Sequence, residues 1–289
     1  MDIRLIDRLS ELAPRYDGFI LDLWGVIHDG AAAFPGAVKC LAALRDSGKR
    51  VVLLSNAPRR ADDVAARIAR IGVPPLYDHV MSSGEEAWLH LSRRDDPFYA
   101  RLGRRCLQIG SERDTGMREG LPLEFVDDVA EAELILNTGP AGWDDRIEDY
   151  DPVLRAARAR DLPMICANPD LHVLHQGRLA LCAGALAERY EEMGGYVRWH
   201  GKPHPSVYDT CLGLLGIAER ARILAVGDSL RTDIAGAGAA GLDSLLIAGG
   251  VHAEEFGAAP GGTLDPARAA AALAAVPYRP IGIARALDW

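Results

Sequence analysis

Residues 18–26 read Gly-Phe-Ile-Leu-Asp-Leu-Trp-Gly-Val. The run Gly18–Trp24 shows no polar/apolar alternation, is broken only by Asp22, and is stopped by Gly25. Such a run predicts a strand buried on both faces, as in a parallel sheet covered by helices. Working outward, Pro35–Ser47 carries Val38, Leu41 and Leu44 at helical spacing and ends at Gly48, and Arg50–Ser55 (RVVLLS) is a second buried strand. A helix over Arg59–Ile71, stopped by Gly72 and Pro74, and a strand over His79–Ser83 continue the rhythm.

The alternation then repeats. A helix over Ser83–Ser92, with Ser83 as its N-cap, precedes strands at Cys106–Gly110, Glu133–Asn137 and Pro163–Ala167, a helix at Ala180–Glu192 and a strand at Tyr196–His200. The last third reads as helix Pro205–Leu215, strand Arg222–Val226, helix Leu230–Ala240 and strand Ser244–Ala248. A helix follows with Asp265 as cap and Pro266 in its first turn. The tail Ile281–Trp289 has no decisive period. Strands alternating with helices define an α/β protein with parallel sheets.

Composition narrows the function classes. With 49% hydrophobic and 25% charged residues in 289, the chain is globular rather than disordered. It has no apolar run long enough to span a bilayer and no signal-peptide pattern at its start, so a cytoplasmic protein is expected. A net charge of −9 disfavours nucleic acid and anionic membranes as partners. Five cysteines without a C-x-x-C pattern read as reduced thiols.

In an open parallel sheet, chemistry sits at the carboxyl ends of the strands. Those ends carry Asp22-Leu23-Trp24-Gly25-Val26, then Ser55-Asn56, then Gly227-Asp228-Ser229 with Thr232-Asp233 following; Gly201-Lys202-Pro203 precedes the last βαβ unit. This is the donor set of a phosphate site. Asp22 and Asp228 supply hard oxygens for Mg²⁺, Ser55 and the amides after it face phosphate oxygens, and Lys202 adds positive charge.

In this order, the residues resemble the motifs of the haloacid-dehalogenase (HAD) superfamily, class IIA or NagD-like branch. Motif I is matched by Asp22-Leu23-Trp24-Gly25-Val26 and motif II by Leu54-Ser55-Asn56. The motif III lysine is Lys202, in Gly-Lys-Pro ahead of a helix carrying Tyr208. Motif IV is Gly227-Asp228-Ser229-Leu230-Arg231-Thr232-Asp233-Ile234. The resemblance implies a Rossmannoid parallel-sheet core from residues 1–83 and 200–289, and an inserted α/β C2-type cap over 84–199 that selects the substrate. It also implies a Mg²⁺-dependent phosphatase or phosphotransferase acting on a small phosphorylated metabolite. In that frame Asp22 is the nucleophile, and Ser55, Asn56 and Lys202 bind the phosphoryl group. Asp22, the Trp24 carbonyl, Asp228 and Asp233 form the metal site. A homodimer through the cap is a further expectation.

One departure matters. The family's second motif I aspartate is the general acid and base, and here Trp24 stands in its place. His28, on the same loop, is the candidate substitute. If nothing substitutes, the chain is a catalytically impaired HAD-fold protein that binds a phosphometabolite for regulation. Two other patterns carry no function. Gly236–Gly241 fits G-x-G-x-x-G but ends a helix instead of opening one. His200 and His204 have a usable metal-ligand spacing, yet no cysteine or carboxylate stands at a matching spacing beside them.

Overall fold

The computed structural model describes residues 4–175, 178–258 and 262–289. The chain divides into two compact units. The first comprises Met1–Ser55, Val64–Met81 and Lys202–Trp289, and the second comprises Asn56–Asp63 and Ser82–Gly201.

The first unit is built on a seven-stranded sheet. Its order is Leu5–Ile6, Gly282–Ala284, Asp243–Ile247, Ile223–Gly227, Gly18–Asp22, Arg50–Ser55, His79–Ser82. The Gly18–Asp22 strand is buried along its whole length and lies parallel between Ile223–Gly227 and Arg50–Ser55. It stops at Asp22 rather than Trp24 because the chain turns. The Leu23 carbonyl accepts the N–H groups of Ile27 (2.8 Å) and His28 (3.1 Å), so residues 23–28 close a compact loop over the strand end. Helix Pro35–Asp46 buries Ala37, Cys40, Leu41 and Leu44 at i, i+3, i+4 and i+7, and Val38 lies beside that stripe, half-buried. The undecided tail supplies the Gly282–Ala284 strand, which pairs with both Asp243–Ile247 and Leu5–Ile6. Three residues are too few for a period of two to show in the sequence.

The second unit has its own five-stranded parallel sheet, in the order Val197–Trp199, Met164–Cys166, Leu134–Asn137, Arg105–Ile109, Glu124–Val126. An antiparallel pair, His172–His175 with Arg178–Leu181, stands apart from it. Both faces of the sheet are apolar: Ile135 packs with Leu154, Leu186 and Tyr190, while its neighbours Leu134 and Leu136 pack with Leu91, Tyr99 and Met117. That explains the continuous apolar strands. Helix Ser83–Arg93 is capped by Ser82, not Ser83. Ser82 is extended and its Oγ accepts the Glu85 N–H at 2.9 Å, whereas the Ser83 hydroxyl donates to the Ala57 carbonyl at 3.2 Å.

Among the described residues no helix is long and apolar enough to cross a membrane, and Cys40, Cys106, Cys166, Cys182 and Cys211 are buried free thiols.

Candidate active site

The parallel register of the first unit brings the expected residues to one edge. Asp22 pairs with Leu54 and Leu21 with Val226, so Ser55, Asp22 and Asp228 end three adjacent strands. Lys202 follows the second unit, ahead of helix Pro205–Leu215, and turns inward. Its Nζ donates to Asp22 Oδ1 at 2.5 Å and to Asp233 Oδ1 at 2.8 Å. Asp22, Lys202, Asp228 and Asp233 are all buried.

Asp233 reaches Lys202 from a π-type turn, Leu230–Ile234, where sequence reading expected plain α-helix through Ala240; the helix proper is Ala235–Ala239. The Asp233 carboxyl lies against the strand end, where a Cβ on Gly227 would come within 2.1 Å of its carboxyl carbon. Its second oxygen, Oδ2, accepts the Ser229 N–H at 3.2 Å. Tyr208, buried on its helix, donates its hydroxyl to the Asp233 carbonyl at 3.2 Å.

Three carboxylates face one ammonium, so ionising all of them together would leave an excess of two negative charges in a buried place. Oxygens of Asp22, Asp228 and Asp233 lie within 4.8 Å of one another. Burial, and then the charge of Asp233, push the pKa of Asp22 well above the usual carboxylate range and that of Asp228 to about 7. Burial opposes the charge on Lys202, but Asp22 and Asp233 outweigh it and hold the ammonium charged. A divalent cation relieves this excess, and an all-oxygen donor set is what Mg²⁺ prefers. The residues present therefore fit a magnesium ion.

Asp228 is confined by glycine. A Cβ on Gly25 or Gly250 would lie 2.0 Å or 2.1 Å from Asp228 Oδ2, and the Val251 N–H donates to that oxygen at 2.8 Å. The Gly249–Val251 contribution was not foreseen. Its only signal in the sequence is a glycine pair after a strand.

Trp24 is 45% exposed, unusual for an indole. Gly30, at φ +90°, leaves room for its six-membered ring, where a Cβ would come within 2.3 Å. His28 meets the indole edge-on, with ring centroids 5.7 Å apart. The His28 ring is buried, and its Nδ1 accepts the Gly30 N–H at 2.9 Å. Burial, and then the charge of Arg67, lower its pKa to about 4. A neutral ring whose lone pair is already used argues against the expected acid/base role and for a brace that holds the loop. Ser55 is half-buried at its strand end. Asn56 groups with the second unit, where its Nδ2 donates to Asp170 Oδ1 at 2.9 Å.

Comparison with known proteins identifies the family. A haloacid dehalogenase-like hydrolase model matches residues 19–121, and a HAD-hydrolase-like model matches residues 199–275. The crystal structure of a haloacid dehalogenase-like hydrolase from Brucella suis is 37% identical. It covers 98% of this chain and 99% of its own, with a TM-score of 0.82. The chain belongs to the haloacid dehalogenase-like hydrolases. Its relatives place it in the NagD-like class IIA branch. The D-glycerol 3-phosphate phosphatase of Mycobacterium tuberculosis is 30% identical over 84% of this chain and 66% of that protein. The ribonucleotide monophosphatase NagD of Escherichia coli is 29% identical over 80% and 87%. A glycerol phosphate phosphatase structure from M. tuberculosis in complex with magnesium has a TM-score of 0.66 and 27% identity, covering 83% of this chain and 70% of its own. The M. tuberculosis and E. coli relatives are thus named as phosphatases, and the M. tuberculosis structure was solved with magnesium. Their names differ in substrate.

Proposed function

We propose that this protein is a Mg²⁺-dependent phosphomonoester hydrolase working through an aspartyl-phosphate on Asp22, with its second unit as the cap. The observation that carries this reading is the Asp22–Lys202–Asp233 ion cluster beside Asp228 at the strand ends. Lys202 occupies one oxygen of Asp22, so attack on phosphorus falls to the other. A bond forms between that oxygen and phosphorus as the bond to the leaving oxygen breaks. Lys202 keeps its proton throughout and balances charge on the phosphoryl oxygens. The Ser55 hydroxyl and the Asn56 amide are assigned to the same oxygens. Water then attacks phosphorus, releasing phosphate and restoring the Asp22 carboxylate. Asp22, the Trp24 carbonyl and Asp228 would hold the magnesium, which when bound neutralises charge on the transferring phosphoryl group. Asp233 uses both oxygens within the protein and is assigned to positioning Lys202 rather than to the metal.

Trp24 limits the chemistry. The indole N–H is too weakly acidic to protonate a leaving alkoxide, so the proposed substrates are phosphate esters or anhydrides whose leaving group departs unprotonated. The same residue favours a second reading, in which the protein binds a phosphometabolite and turns it over poorly or not at all. Mg²⁺-dependent release of nitrophenolate from p-nitrophenyl phosphate, absent in Asp22→Asn, is the expected result. Saturable binding of a phosphate ester without any release would support the second reading.

A further inference from the structure

We propose that the second unit contains a zinc site formed by Glu86, His90 and His200. Glu86 and His90 stand four residues apart on helix Ser83–Arg93, hence on one face of it. His200 follows strand Val197–Trp199. One ligand atom from each residue lies within 4.8 Å of the other two. Glu86 and His200 are each 1% exposed.

The geometry is close to that of a ligated metal. Two donors each ~2.0–2.1 Å from a tetrahedral zinc lie ~3.3 Å apart. His200 Nδ1 and Glu86 Oε2 are already 3.3 Å apart. Among the described residues, His200 Nδ1 has no hydrogen-bond partner, although it is buried and directed at a carboxylate. A nitrogen lone pair and a carboxylate oxygen converging in a dry interior repel unless a proton or a cation sits between them. The other ring nitrogen, Nε2, is bonded to the Tyr99 hydroxyl. Metal-bound histidines carry just such a second hydrogen bond, which fixes the ring and its tautomer. Glu86 Oε2 is held in turn by the Gly201 N–H at 2.8 Å. His90 stacks on Tyr99, with centroids 5.1 Å apart, and its ring centre is 5.2 Å from that of His200.

Two imidazoles and one carboxylate form a mixed nitrogen/oxygen donor set that suits zinc better than magnesium. His90 is only partly buried, which leaves one side open for a fourth, water ligand. The site joins helix Ser83–Arg93 to His200, more than a hundred positions later in the chain. Its occupancy therefore stabilises the second unit by linkage.

The test uses the full chain carrying Asp228→Asn, so that divalent ions on the Asp22 cluster do not confuse the count. The expected result is one equivalent of zinc by mass spectrometry after gel filtration and a zinc-dependent rise in Tm. Cobalt substitution should give the intense visible band of a tetrahedral, histidine-bound ion. Adding His90→Ala, chosen because His90 is the most exposed of the three, should weaken zinc at least tenfold and remove the band. No zinc and no cobalt band in the Asp228→Asn protein would overturn the site and leave a shared proton between Glu86 and His200. So would zinc binding that is unchanged by His90→Ala. The cobalt spectrum decides the matter even if the double variant does not fold.

Discussion

Lys202 Nζ and Asp22 Oδ1 lie 2.5 Å apart in the interior of the first unit, 180 residues apart in the chain. The ammonium also touches Asp233, so one cation serves two of three clustered carboxylates. Removing one partner of a buried pair typically costs ~3–5 kcal/mol, because the other charge is left uncompensated. Lys202→Met should therefore lower stability in urea unfolding by about that amount and abolish phosphatase activity. Combining it with Asp22→Asn should recover part of the stability and none of the activity. Full additivity of the two losses would show that the pair is not coupled.

Asp228 is expected to behave in the opposite way. It is a third carboxyl in a buried cluster with one ammonium, where burial and the charge of Asp233 disfavour its ionisation. Asp228→Asn should leave the metal-free protein as stable as wild type or slightly more so, and should remove Mg²⁺ binding measured by calorimetry. Unchanged Mg²⁺ affinity would exclude Asp228 from the metal site.

Glycine substitutions separate site geometry from general stability. A Cβ on Gly250 would stand 2.1 Å from Asp228 Oδ2, while one on Gly213, inside helix Pro205–Leu215, meets nothing within 4 Å. Gly250→Ala should displace Asp228 and reduce activity at least tenfold. Gly213→Ala should retain activity and gain up to ~1 kcal/mol from helix propensity. Equal activities in the two variants would mean that the close approach of Gly250 to Asp228 is dispensable.

Trp24 should impose a leaving-group preference. A positioned general acid contributes about 10²–10⁴-fold. Nitrophenolate and acyl leaving groups do not need one, whereas sugar and glycerol alkoxides do. Aryl and acyl phosphates should thus be hydrolysed far faster than alkyl phosphates, and Trp24→Asp should narrow the gap by raising the alkyl rate. Fast wild-type hydrolysis of an alkyl phosphate would point to another proton donor.

His28 makes stability depend on pH. Its pKa is lowered from 6.5 unfolded to about 4 folded. Between those values the unfolded chain binds the extra proton, so stability rises with pH from about 4 to 6.5 and falls on acidification across the same window. His28→Gln should flatten that limb of the unfolding free energy, measured by urea titration at several pH values. A limb unchanged by the substitution would assign it to other groups.

Much of the fold is legible in the sequence for a simple reason. Strands buried on both faces leave continuous apolar runs such as GFILD and RVVLLS, and each carboxyl end then carries its polar residues in register with a motif. Asp22, Ser55 and Asp228 could be proposed as a site because the chemistry of phosphate and magnesium favours such residue types at strand ends, and Lys202 because a Gly-Lys-Pro stands ahead of a helix. Short strands were less visible, since Leu5–Ile6 and Gly282–Ala284 owe their conformation to each other and to Asp243–Ile247, not to their own pattern.

What the sequence determined alone is the alternation of strand and helix, the order of the motifs and the presence of an indole where an acid is usual. Tertiary structure decided what depends on distance between residues remote in the chain. It set Asp233 against Lys202 through a π-type turn, confined Asp228 between Gly25 and Gly250, and tied up the His28 lone pair with Gly30. It also brought Glu86 and His90 to His200, whose neighbours in sequence offer no matching ligand. Local pattern records what each segment buries; only the packed chain shows which charges and lone pairs come to face one another.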